Sequence, residues 1–130
     1  MRSDLPEQEL AARLRKLCGP GLRSVIYLHE DGKEVLYLRD DVQSTDEHLV
    51  HAFETLLFDM IGSEFNEGSY GHGELLAVTR RFEEAVELHF PIADTRGVAL
   101  AVDGPTLEGY DDNVIPTLHE TIQETIQETV

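Results

Sequence analysis

Lysine is nearly missing from this chain: of 130 residues only Lys16 and Lys33 are lysines, and the other eight cations are arginines. Against these ten cations stand 26 aspartates and glutamates, leaving a net charge of −16. Nucleic acids and anionic membranes are bound by clustered Lys and Arg that displace counterions. Here Arg80-Arg81 is the only adjacent arginine pair, so both partner classes are disfavoured. Cys18 is the only cysteine, which excludes an intramolecular disulfide and a cysteine-rich metal site. No apolar run approaches the roughly 18 residues that a membrane-crossing helix needs. The acidic start, Met1-Arg-Ser-Asp-Leu-Pro-Glu7, is unlike a signal peptide, so a cytoplasmic location is expected. Gly-x-Ser-x-Gly is absent, and Cys18 has no nearby cation beyond Lys16, so nucleophilic catalysis has no support. Cys18 reads instead as a small buried apolar side chain.

What is present is a globular composition, 41% apolar and 28% charged, in a length that suits one domain over residues 1–130. A charge of −16 on so small a domain is strongly self-repelling in dilute buffer. In molar salt the Debye length falls to roughly 3 Å and most of that repulsion disappears. Scarce lysine with abundant carboxylate therefore points to an extreme halophile whose cytosol accumulates salt. One consequence is that Asp and Glu pairs lose value as markers of a site.

The first helix is expected to start at a capping box of Asp4 and Glu7, to carry Leu10, Leu14, Leu17 and Cys18 on one stripe, and to stop at Gly19-Pro20. Two strands, Leu22 to Leu28 and Glu34 to Arg39, flank the hairpin signal Asp31-Gly32. Val25 and Tyr27 face one way and Ile26 and Leu28 the other, so both faces of the sheet should be covered by helices. The second helix is expected from about Ser44 to Ile61, with Ser44 and Glu47 as a capping box and Leu49, Phe53, Leu56, Leu57 and Met60 on its core face. Ser63 to Gly73 reads as a glycine-rich loop. Strands Leu75 to Phe82, Val86 to Ile92 and Gly97 to Val102 follow as a meander, then a helix from roughly Asp112 to Thr129 with Pro116 in its first turn. The repeated Thr-Ile-Gln-Glu sets Leu118, Ile122, Ile126 and Val130 four apart, a period that turns Ile126 and Val130 away from the core.

The order αββαβββα excludes a doubly wound sheet. It predicts an α+β domain: a five-stranded antiparallel sheet with the first and third helices on one face and the second on the other. The arrangement resembles the profilin-like architecture of roadblock and longin modules, related to PAS and GAF sensors, which implies a strand order of 2-1-5-4-3. At sequence level, Arg23-Ser-Val-Ile-Tyr-Leu with Leu36-Tyr-Leu-Arg-Asp-Asp41, then Arg80-Arg-Phe-Glu83, then Gly97-Val-Ala-Leu-Ala-Val-Asp-Gly-Pro-Thr-Leu107 resemble a family of small uncharacterised haloarchaeal proteins. That resemblance implies halophily and a cytoplasmic location, and brings no reaction, cofactor or catalytic residue.

Three groups invite a chemical reading. His48 and His51, three apart on the second helix beside Thr55 and Asp59, could share a divalent metal, but the sequence supplies neither His-Glu-x-x-His nor an evident third ligand, and a solvated polar face is the better account. Tyr70 and His72 in Gly68-Ser-Tyr-Gly-His-Gly73 could line a ligand pocket, although the glycines lack phosphate-loop spacing and precede a strand. Arg39 with Asp40, Asp41 or Asp103 reads as a structural clamp, Asp111-Asp112 as surface, and His89 as a satisfied sheet residue. No cofactor is expected. The leading expectation is a non-catalytic interaction or regulatory module that forms a homodimer through its apolar tail and open strand edges, with a further protein partner unidentified. A small-molecule sensor holding its ligand between the sheet and loop 63–73 is the alternative. A hydrolytic or metal-assisted enzyme using His48, His51 or His72 is a third reading.

Overall fold

The computed structural model describes residues 5–42, 45–93, 95–108 and 113–127. The expected cap at Asp4, the Ser44 half of the second capping box, Asp111-Asp112 and Val130 lie outside these residues. Helix α1 (Leu5–Cys18) ends where Gly19 takes a left-handed backbone with φ 68°, which a side chain would resist. Strands β1 (Leu22–His29) and β2 (Gly32–Leu38) form the expected hairpin, its last pair being His29 with Gly32. Helix α2 (Asp46–Tyr70) follows, then the meander β3 (Val78–Arg81), β4 (Ala85–Ala93) and β5 (Arg96–Asp103), and finally α3 (Val114–Gln127). The five strands make one sheet ordered β2-β1-β5-β4-β3, antiparallel throughout, as expected.

The two-faced pattern of β1 is realised. Val25 and Tyr27 join Leu10, Leu14, Phe90, Leu100 and Ile122 in a core beneath α1 and α3. Ile26 packs with Phe53, Leu56, Met60 and Ala99 beneath α2, with Leu28 at the margin. The approach of α2 is close: a Cβ on Gly97 of β5 would lie 2.5 Å from Met60 Sδ and 3.1 Å from Leu56 Cδ1. Glycine there lets the helix sit down on the sheet.

Four expectations are corrected. The cap of α2 is Thr45, whose side chain accepts from the His48 amide at 3.1 Å. The segment 63–73 is not a loop, because α2 runs on to Tyr70. Gly62 and Gly68 each cost a helix about 1 kcal/mol, too little to stop one anchored by buried Met60. The stop is Gly71, left-handed at φ 67° with its amide donating to Glu67 O. Next, β3 begins only at Val78, since the Leu75 amide donates to the Glu67 carboxylate at 2.8 Å rather than to a neighbouring strand. Last, Ile126 stays in the core at 4% exposure. From Leu118 to Ile126 the four-residue period drifts by about 80°, which still fits an apolar stripe about 100° wide.

Candidate functional site

The histidines of α2 stand apart from any ligand cage. His48 and His51 are exposed, and the His51 ring nitrogens lie 3.9 Å from Glu47 and 3.6 Å from Glu54. Among the described residues no group of three or more His, Cys, Asp or Glu side chains is placed to hold a metal ion. Tyr70 and His72, at and just beyond the end of α2, are brought together: their rings are near-parallel at 21°, with centroids 6.3 Å apart. With Asn66, Glu67, Glu74 and Leu75 they border a cleft of about 340 Å³ that is open to solvent. It lies between the helix end and the segment leading to β3. The interval between α2 and the sheet, where a sensor would enclose its ligand, is filled by Phe53, Leu56 and Met60.

A polar cluster that the sequence reading missed joins α2 to the sheet. The Asp59 carboxylate accepts two hydrogen bonds from Arg80 of β3, at 2.7 and 2.9 Å, and one from the His89 Nδ1–H of β4 at 2.7 Å. His89 Nε2 is 3.4 Å from Glu87. The side chains of His89 and Asp59 are only 2% and 9% exposed. Burial pushes the Asp59 carboxyl up, but the Arg80 and His89 hydrogen bonds outweigh it and hold the group below its ordinary value. The same pairing raises Arg80. With both ring nitrogens directed at carboxylates, His89 works as a latch between helix and sheet. It is a satisfied sheet residue, as expected, whereas Asp59 does not share the solvated ridge of His48 and His51. The available signal was Leu56, Asp59, Met60 and Ser63 at i, i+3, i+4 and i+7, one helix face.

At the other end of the sheet, Asp103 accepts from Arg39 at 2.8 and 3.0 Å and from Arg23 at 3.0 Å, while Arg39 also reaches Pro20 O at 2.8 Å and pairs with Asp41. The Arg39 hydrogen bonds, aided by Arg23 and against burial, hold the Asp103 carboxyl down at about 2. These residues form the expected clamp, tying β1, β2 and β5 together.

Among the described residues, the outer face of α2 carries a row of exposed large apolar side chains. Leu57, Phe58, Ile61 and Phe65 are 45%, 74%, 67% and 75% exposed. At 100° per residue they fall within a single 100° sector, and Val50, at 49%, extends the apolar surface toward the helix start. Leu57 thus belongs to this face and not to the core face. β3, at one edge of the sheet, is linked to α2 by Arg80 and is followed by Phe82 at 58% exposure. Among the described residues no helix is long and apolar enough to cross a membrane.

A family model described as a domain of unknown function, DUF7522, matches residues 8–122. The chain belongs to the DUF7522 family. The matched span encloses all five strands and α2, together with most of α1 and of α3. No curated protein matches the chain. Among solved structures it is similar to Myxococcus xanthus MglB, with TM-score 0.67, 11% identity and coverage of 100% of this chain and 94% of that one. It is similar also to an MglB described as having a tetrameric arrangement (TM-score 0.67, 11% identity, 96% and 93% covered) and to a roadblock/LC7 domain from Streptomyces avermitilis (TM-score 0.57, 15% identity, 98% and 97% covered). At such identities the likeness shows the fold: this DUF7522 chain has the roadblock/LC7 architecture.

Proposed function

We propose that this protein is a non-catalytic interaction or regulatory module of a halophilic archaeon's cytoplasm, and that it self-associates through the outer face of α2. The observation that carries the reading is the row Leu57, Phe58, Ile61 and Phe65, four large apolar side chains on one solvent-facing sector of a helix. A contiguous apolar surface of this kind marks an interaction site on a soluble domain. In a two-fold dimer the patch meets its own copy. The dimer does not use the C-terminal apolar residues in this reading, because Ile126 is committed to the core. A fold neighbour described as tetrameric supports a self-associating architecture. The acidic, lysine-poor composition and the resemblance to haloarchaeal proteins support the setting.

No ligand or metal role falls to His48, His51, Tyr70 or His72 in this reading. Light scattering across a concentration series in about 2 to 3 M KCl, where charge repulsion is screened to ångström range, should return twice the monomer mass. A strict monomer at every concentration contradicts it.

A further inference from the structure

In a chain with 26 carboxylates and ten cations, nearly every cation should find a partner, and most do. Arg13, Arg23, Arg39, Arg80, Arg81 and Arg96 are each ion-paired. Among the described residues Arg15, Lys16 and Lys33 have no carboxylate partner, and Lys33 lies over the Phe53 ring at 5.8 Å. Arg15 and Lys16 are neighbours, and both border the same cleft of about 430 Å³ with Ala12, Gly19, Pro20 and Tyr37. The cleft lies where the end of α1, the turn into β1 and strand β2 meet.

Its parts are suited to one kind of ligand. The Arg15 guanidinium rests over the Tyr37 ring, 4.9 Å from its centroid. That contact takes up the flat face of the group and leaves its N–H edge free for two parallel hydrogen bonds. Lys16 adds a point charge. At Gly19, φ 68°, no Cβ intrudes. Cations in a last helical turn also complement the helix dipole, but that accounts for neither the aromatic support nor the shared cleft. We infer that this cleft binds a small oxyanion, a carboxylate or a phosphoryl group, held by the Arg15 edge and the Lys16 ammonium. The cleft's volume of about 430 Å³ suits a small molecule. The inference is independent of self-association, since the cleft lies across the sheet from α2.

The test is amide NMR of the labelled full chain, titrated separately with inorganic phosphate and with succinate at constant ionic strength. Saturable shifts centred on Arg15 to Gly19, Gly21 and Tyr37 are expected. Saturation by phosphate alone assigns a phosphoryl ligand and by succinate alone a carboxylate, and either supports the site. Arg15→Gln and Lys16→Gln should each weaken binding about tenfold, the value of one charge-assisted contact. Lys33→Gln, which removes the same charge elsewhere, should leave it unchanged. Linear shifts spread over the surface, or an equal loss in Lys33→Gln, would overturn the inference.

Discussion

Among the described residues, fifteen buried side chains close the sheet face beneath α1 and α3, whereas five do so beneath α2. On the first face two helices pack against each other as well as against the sheet, and Leu14, Leu88, Phe90 and Ile122 are wholly excluded from water. On the second a single helix covers the strands. The apolar cluster there is built on Ile26 of β1 and Ala99 of β5, and toward β3 and β4 stand the polar groups Asp59, Arg80, His89 and Glu87. The aromatic residues divide the same way. Phe90 and Tyr27 are buried beneath α1 and α3, whereas beneath α2 only Phe53 among the described phenylalanines is buried and Phe58, Phe65 and, after β3, Phe82 are exposed. One layer has spent its apolar surface on folding, and the other keeps a reserve facing outward. That asymmetry is what association through α2 would use.

The largest effect that tests the contrast comes from truncating each layer. Ile122→Ala should lower stability by about 2–5 kcal/mol, the range for a buried aliphatic replaced by alanine. Ile61→Ala, on the outer face, should change the stability of the dilute monomer by less than about 0.5 kcal/mol. Urea unfolding at fixed salt and low protein concentration reads both, and equal losses would break the comparison. The next effect is at the polar latch. Asp59→Ala leaves His89 buried and Arg80 half-buried without their acceptor, and should cost about 2 kcal/mol. Amide exchange should rise in α2 more than in α1 or α3; a uniform rise would mean that the two layers unfold as one unit.

The smallest effect concerns pH. Asp103 is held at about 2, below its ordinary 3.8, so its ion pairs contribute stability that is fully present above about pH 4 and lost as pH falls toward 2. Asp103→Asn removes that dependence. Its thermal midpoint should therefore fall less steeply than the parent's between about pH 4 and pH 2, and parallel curves would contradict the assignment.

The sheet was legible in the sequence because its strands obey a period of two on both faces: Val25 with Tyr27, and Ile26 with Leu28, already imply a helix on each side. The same logic failed on α2. A helix whose apolar residues cover more than half its circumference gives no unique inward face, so Leu57 was assigned to the core and the outer row went unseen. Gly62 and Gly68 read as punctuation, although only Gly71 adopts the left-handed backbone that ends the helix. The latch was hidden for a different reason. Its members are 21 and 30 residues apart in sequence, and only the register of β4 against β3 and the tilt of α2 bring them within 3 Å. Arg39 and Asp103 are farther apart still, yet Asp103 stood with Asp40 and Asp41 among the expected partners of Arg39, because both residues stand where strands end; the structure pairs Arg39 with Asp41 and Asp103.

The most direct test of self-association through α2 is an isotope-filtered NOE experiment on a one-to-one mixture of labelled and unlabelled protein in high salt. Contacts between copies should appear at the methyl groups of Leu57 and Ile61, with partners among the rings of Phe58 and Phe65. Intermolecular contacts confined to α1 and α3, or none at a concentration where light scattering reports a dimer, would contradict the account.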